Sequence, residues 1–427
     1  MGRDCAYPDL VSATPSASPT IDGIPIEVGD EREVRVGKVA HGGHFVARLG
    51  DVVVFVRHAL PGEMVRIRIT EVRARFLRAD AVEVLHSHAE RRPALCPVAG
   101  ECGGCDFQHA PESLQRSLKL DVLREALVHH GGLRDDRTNA LLAEGVLDFG
   151  RETGWRTRMH YETTSLEPYG STVALHRHRS EESIDARGCV IADPIGHQRA
   201  VEIAADLPVG SDVYMATGID GAVVSSGRDA GAVSRHELAV AGGSITFTAP
   251  VDGFWQVHPD LVQALVDTVL EWGDPKSGET WWDLYSGVGP IAAALGSRVG
   301  ASGRVHAVES SKNAVAHGRL ALQHMPWVGF HRADVRTWVM KPNRPRPTGV
   351  VIDPPRSGAG AQVLTAVVQV APQTLIIVAC DPVALARDVG ILADRGYQVQ
   401  ALRVWDAFPQ THHMETIALF RPVDRIS

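Results

Sequence analysis

From residue 251 onward the chain alternates short apolar runs with amphipathic stretches, and this alternation restricts its fold more than any other feature. "LVQALVDTVLEW" has helical spacing. It is followed by "TWWDLYSGVGPIAAALGSRV", "RVHAVESSKNAVAHGRLALQ", "GFHRADVRTWV", "GVVIDPPRSG" and "TLIIVACDPVALARDVGIL". Apolar runs joined to helices by short connections build an open, mostly parallel α/β sheet. Sheets of this kind bind ligands at the carboxyl ends of their strands. The acidic, glycine and cysteine residues that close the runs are therefore the first candidates for a site.

A chain of 427 residues exceeds one compact domain. Hydrophobic residues at 44% and charged residues at 22% are globular values that allow a sizeable core. No stretch has the ~18 uncharged apolar residues of a membrane span. The N-terminus has no apolar core of signal-peptide type, and its Ser, Pro and Thr content predicts a disordered leader over 1–28. A cytosolic setting is expected, in which disulfides are rare. Over 29–88, "EREVRVGKVA", "DVVVFVRHAL", "GEMVRIRITEV" and "FLRADAVEVL" alternate apolar and polar positions between glycine-bearing turns. They predict a small OB-like barrel. Residues 89–250 read as a central β-rich, cluster-binding domain that contains the cysteine cluster and a helix over 112–130. Residues 251–427 form the α/β domain.

"WWDLYSGVGPIAAALG" is an apolar strand, an acidic residue, a glycine turn and a helix. Gly287 and Gly289 permit a sharp turn and close backbone approach to a ligand. The third glycine of a dinucleotide fingerprint is replaced by Ala292, although a nicotinamide enzyme stays open at this point. Glu309 ends the next apolar run, where a carboxylate accepts hydrogen bonds from ribose hydroxyls. Asp334 ends a third, in reach of an adenine amino group. The ordered set of Asp283, Gly287, Gly289, Glu309 and Asp334 resembles the class I (Rossmann-like) S-adenosylmethionine-dependent methyltransferases.

"VVIDPPRSGAG" closes a fourth strand on Asp353-Pro354-Pro355, a stiff turn. Amino-directed methyltransferases follow D/N-P-P with an aromatic residue, and Arg356 stands there instead. The next strand closes on Cys380 in "LIIVACDPVALARD", and Glu415 follows two histidines in "FPQTHHMETIALF". A lone cysteine is also a common core filler. A thiol, a carboxylate and a methyl donor at one sheet edge nevertheless suit one reaction. A thiolate adds to C6 of uracil, C5 becomes nucleophilic and takes a methyl group, and a base removes the C5 proton.

These pieces resemble the RNA uracil-C5 methyltransferase family, in the iron–sulfur-bearing branch with an N-terminal TRAM domain that acts on 23S rRNA. The resemblance runs from about residue 30 to the end. It rests on the barrel, "CPVAGECGGCDFQH", "FWQVHP", "DLYSGVG", "DPPRSG", "ACDP" and "HHMET". It implies Cys380 as nucleophile and Glu415 as base. It also implies that Gln256, Tyr285, Glu309 and Asp353, with Asp334, line the methyl-donor and uracil pocket. Three residues depart from the family pattern: Ala379 replaces a common Ser, Pro290 a common Asn, and Met414 a branched residue.

Cys96, Cys102 and Cys105 form C-x5-C-x2-C, and Cys189 is the remaining candidate apart from Cys5 in the leader. Spacing alone leaves zinc and an iron–sulfur cluster both open. The family resemblance implies a [4Fe–4S] centre, structural or RNA-shaping. The partner it implies is RNA, ribosomal first and transfer RNA second, bound by a monomer. A net charge of −8 excludes wholesale nucleic-acid coating but not a basic groove. Arg66, Arg68, Arg73, Arg75 and Arg78 of the barrel, Arg156, Arg158 and His160, and residues 176–180 are its candidates. A cluster protein that binds RNA without catalysis is the alternative of another class.

Overall fold

The computed structural model describes residues 20–21, 24–168, 170–227 and 231–423. Two compact units emerge. The smaller comprises Met1–Gly100, Cys105–Val122 and Gln410–His412; the larger comprises Glu101–Gly104, Leu123–Pro409 and His413–Ser427. The central and α/β segments expected from the sequence thus fall mostly within the larger unit. Most of the leader expected over 1–28 lies outside the described residues. Its end belongs to the smaller unit, where Ile26 is buried.

In the smaller unit a short pair, β1 (Thr20–Ile21) and β2 (Ile24–Pro25), precedes a six-stranded sheet. The six are β3 (Glu31–Arg35), β4 (Val39–Ala40), β5 (His44–Leu49), β6 (Val52–Arg57), β7 (Met64–Val72) and β8 (Phe76–His86), in the order β3-β7-β8-β6-β5-β4. Period-2 alternation sends Val65, Ile67 and Ile69 of β7 into a core shared with Phe45, Val54, Val56 and Leu77. Arg66 and Arg68 take the other face. Glu63, in the turn before β7, is wholly buried, and its carboxylate accepts from Arg91 Nε at 2.6 Å and Nη2 at 2.8 Å. It also accepts the Leu60 and His88 amides. Helix α1 (Glu112–His129) starts in this unit and ends in the larger.

After the end of α1, the larger unit continues with α2 (Asp135–Leu141) and β9 (Val146–Leu147). A five-stranded sheet follows, made of β10 (Arg158–Ser165), β11 (Ser171–His176), β12 (Ser183–Asp185), β13 (Asp212–Gly218) and β14 (Gly221–Ser226). Helix α3 (Pro194–Ala204) packs Ala200 and Ala204 against Tyr161, Val213 and Met215 of this sheet. A hairpin of β15 (Val233–Val240) and β16 (Gly243–Pro250) leads to α4 (Leu261–Gly273).

The alternation then runs β17 (Thr280–Leu284), α5 (Pro290–Val299), β18 (Arg304–Glu309), α6 (Lys312–Ala321), β19 (Val328–Arg332), α7 (Val335–Val339) and β20 (Gly349–Ile352). It continues with α8 (Gly360–Gln369), β21 (Thr374–Ala379), α9 (Pro382–Ala393), β22 (Tyr397–Trp405) and β23 (Glu415–Pro422). The sheet order is β19-β18-β17-β20-β21-β23-β22-β9, with β17 to β21 parallel and β23 antiparallel to both its neighbours. The class I α/β fold expected from the sequence is the fold observed. Its direction of winding reverses between β17 and β20, the place where such sheets open a crevice. Trp281 of β17 is fully buried, and a Cβ on Gly349 would stand 2.3 Å from its ring. No helix among the described residues is long and apolar enough to cross a membrane.

Candidate active site

The switch point is built by the turn after β17. Tyr285 has φ 64°, a left-handed conformation that a bulky residue rarely adopts and that concentrates at functional sites. Gly287 (φ 55°) faces open space where a Cβ would stand, which suits a ligand lying against the backbone. Gly289 (φ 89°) is the residue before α5, and a Cβ there would meet the Phe330 ring at 2.6 Å. Pro290 is the first residue of α5, a position where proline's fixed φ favours the helix.

Carboxylates ring this turn. Glu309 Oε2 accepts the Gly287 amide at 3.0 Å, and Oε1 accepts the Ser311 amide at 2.7 Å. The residue expected to meet a ribose therefore also holds the glycine turn in shape. Asp283 is completely buried, and neither oxygen has a hydrogen-bond partner; the Ala292 amide favours its charged form but lies outside bonding geometry. Burial first, then the Asp353 carboxyl, pushes Asp283 up to about 8. Asp334 is exposed and caps α7: its Oδ1 accepts from the Thr337 amide at 2.9 Å and hydroxyl at 3.0 Å, bonds that hold its carboxyl below the usual range. Gln256 is half-buried in the segment between β16 and α4. An orphaned buried carboxylate beside a turn open at Gly287 fits a ligand carrying a cationic amino-acid moiety and a nucleoside.

Two strands along, β21 and β23 pair antiparallel, with Ala379 opposite Thr416 as the final pair. The next residue outward on β21 is Cys380, and on β23 it is Glu415. The Thr416 hydroxyl donates to the Ala379 carbonyl at 2.5 Å and ties the two strand ends together. Burial pushes the Cys380 thiol up to about 12; Glu415 adds to this, and Arg356 opposes it. Glu415, also buried, is raised well above the ordinary carboxylate range by burial and then by Asp353, against Arg356. Burial lifts Asp353 itself to about 7. The structure thus brings Cys380, Glu415, Asp353 and Arg356 within one electrostatic neighbourhood and joins Asp353 to Asp283. A thiol and a carboxyl whose proton affinities are both raised stand at the two strand ends, where they can exchange protons with a bound substrate.

Asp388 escaped the sequence reading. It is buried in α9, the helix that starts after Cys380, and accepts the Ala359 amide at 2.8 Å and the Gly360 amide at 3.3 Å. It thereby fixes the loop carrying Arg356. The one signal for it was an acidic residue inside the apolar helix "ALARDVGIL".

The arginines of the barrel are largely matched by glutamates. Arg66 pairs with Glu33 and Glu83, Arg68 with Glu31, and Arg73 and Arg78 with Glu71. The Arg66, Arg68 and Arg73 side chains are exposed, and pairs of this kind contribute little stability, so phosphates can compete for them. His160 pairs with Asp212, and Arg177 with Glu101 and Glu182. Arg158, expected on an RNA-facing surface, is buried and bonded to protein carbonyls instead. Burial of a charge needs such partners, and the turn after β16 supplies them.

Cys96 and Cys105 are buried in the smaller unit, while Cys102 and Cys189 are half-buried in the larger; none of the four is in a disulfide. Cys5 lies outside the described residues. Among the described residues, no three His, Cys, Asp or Glu groups stand together as a metal site. The donor set suits iron–sulfur or zinc chemistry.

Residues 25–82 match the TRAM domain family, and residues 344–422 match the tRNA (Uracil-5-)-methyltransferase family. An RNA methyltransferase of Streptomyces avermitilis is 38% identical over 432 residues, covering 92% of this chain and 99% of its own. The 23S rRNA (uracil(1939)-C(5))-methyltransferase RlmD of Chromohalobacter salexigens is 31% identical over 454 residues, covering 96% and 91%. Among solved structures, the Pyrococcus abyssi tRNA (uracil-54, C5)-methyltransferase in complex with S-adenosyl-L-homocysteine matches with a TM-score of 0.66 at 18% identity. That match covers 91% of this chain and 99% of the other.

Proposed function

Because the chain belongs to the family of RNA (uracil-C5)-methyltransferases, we propose that it methylates C5 of a uridine in ribosomal RNA through a covalent enzyme–RNA intermediate. The facing positions of Cys380 and Glu415 at the mouth of β21 and β23 carry this reading. The Cys380 thiolate adds to C6 of the uracil, forming an S–C6 bond and an enolate that makes C5 nucleophilic. Asp283, Tyr285, Gly287, Gly289, Glu309 and Asp353 would hold S-adenosylmethionine at the glycine turn, where it would supply the methyl group to C5 and leave as S-adenosylhomocysteine. Glu415 takes the C5 proton, the C6–S bond breaks, and Cys380 leaves as thiolate. Gln256 lines the uracil side of the pocket. Asp334 stands at the adenine end once its cap to α7 is shared with the ligand.

Ribosomal RNA is favoured because the 23S rRNA enzyme above spans this chain almost end to end at 31% identity. A [4Fe–4S] cluster on Cys96, Cys102, Cys105 and Cys189 belongs to the same reading, supported by four cysteines of which, among the described residues, none is in a disulfide. Purification without oxygen, with iron and sulfide assayed, tests it: about four of each per chain is expected for the cluster, and zinc alone overturns it.

The decisive experiment maps 5-methyluridine across rRNA and tRNA in a deletion strain complemented with variants. Wild type restores one or more rRNA positions. Cys380→Ala restores none and forms no RNA adduct. Glu415→Gln accumulates a denaturant-stable adduct. Loss at no RNA position, or activity surviving Cys380→Ala, overturns the proposal.

A further inference from the structure

Arg158, in the central β-rich region, donates to carbonyls that converge on one turn. Its Nη2 donates to the carbonyls of Pro250 at 2.5 Å, Val251 at 2.9 Å and Gly253 at 2.9 Å. Its Nη1 donates to Ser234 Oγ at 3.1 Å, and that hydroxyl lies 2.8 Å from His236 Nε2. The His236 ring stacks on Trp255, with centroids 4.3 Å apart and planes 13° apart. Both ends of the network therefore grip the segment from Pro250 to Trp255, one through its carbonyls and the other through its aromatic side chain. The next residue is Gln256.

Burial pushes Arg158 down to about 10, with Asp252 opposing, so the guanidinium remains charged near neutral pH. A planar fork with fixed donors suits three converging carbonyls, whereas an ammonium on a flexible stem does not. Burying a cation to shape a turn is costly unless the shape is used. The turn ends at Gln256, which no strand end of the eight-stranded sheet delivers.

We propose that Arg158 is a positioning residue for the methyl transfer, acting by fixing the turn that presents Gln256 to the target uracil. The inference rests on the reading of Gln256 as a pocket residue. It also reassigns an arginine whose sequence setting, "GWRTRMHY", suggested RNA contact.

The test is a double-mutant cycle on full-length enzyme, with saturating RNA transcript and S-adenosylmethionine. Gln256→Ala and Arg158→Met each lower the methylation rate at least about tenfold, and S-adenosylmethionine affinity is unchanged. The double variant is no slower than Gln256→Ala alone, and Arg158→Lys does not rescue. Multiplying losses in the double variant, or full activity in a folded Arg158→Met, overturns the positioning role. Full activity in Gln256→Ala instead overturns the reading of Gln256, and this outcome is distinct from the others. If Arg158→Met fails to fold, Ser234→Ala replaces it in the same cycle with the same criteria, because it removes one tie and leaves the cation paired.

Discussion

At the scale of single residues, the candidate site is defined by carboxyl and thiol groups whose proton affinity burial raises. Burial lifts the Cys380 thiol to about 12, so near neutral pH little of it is thiolate. Single-turnover adduct formation is expected to climb about tenfold per pH unit between roughly 7 and 9. A flat profile would mean that the thiol ionises before RNA binds. Asp283 carries a different consequence. Its folded form titrates near 8 against 3.8 for an ordinary aspartate, so the folded state holds the extra proton. Stability without ligand then falls as pH rises from 3.8 to about 8. Asp283→Asn should raise the melting temperature of the ligand-free protein by several degrees at pH 8 and hardly at pH 4, while weakening S-adenosylmethionine binding in calorimetry. The identities of Cys380, Glu415 and Asp283 were legible in the sequence as strand-end residues. Their protonation states were not, because each depends on neighbours from other strands.

Among the elements, those with strong local patterns were read correctly. "LVQALVDTVLEW" became α4, and "TLIIVACDPVALARDVGIL" became β21 and α9. Period and turn chemistry are properties of adjacent residues, so one sequence suffices to find them. β9 was invisible: Val146 and Leu147 form a strand solely because β22 offers them an edge. The glycine turn sits between these cases. Gly287 and Gly289 announce a bend, but the Phe330 ring behind Gly289 comes from β19. Gly289→Ala places a Cβ 2.6 Å from that ring at φ 89°. It is expected to cost about 2 kcal/mol in denaturant unfolding and to weaken cofactor binding. Gly287→Ala meets no atom within 4 Å, and its milder cost is backbone strain alone.

For the molecule as a whole, the sequence predicted three folded parts, whereas the contacts gather into two units. In the smaller unit, the buried Glu63–Arg91 pair closes the turn between β6 and β7. Burial raises the Glu63 carboxyl, but Arg91 and two amides outweigh it and hold it below 4.5. Its contribution is present above that pH and is lost as pH falls through the lower folded value. Arg91→Met leaves a buried charge without its partner and should destabilise the smaller unit by about 3 kcal/mol at pH 7, and by less at pH 3. Hydrogen exchange of β7 and β8 amides would report it.

By itself, the sequence determined the parallel α/β domain, the β-rich region before it, and the chemical groups at each strand end, because these follow from local period and residue type. Only the tertiary structure decided that Cys380 faces Glu415, that Asp283 is buried without a partner, and that Arg158 is an internal tie rather than a surface contact. Register, burial and hydrogen-bond satisfaction are set by residues far apart in the chain, and no local pattern records them.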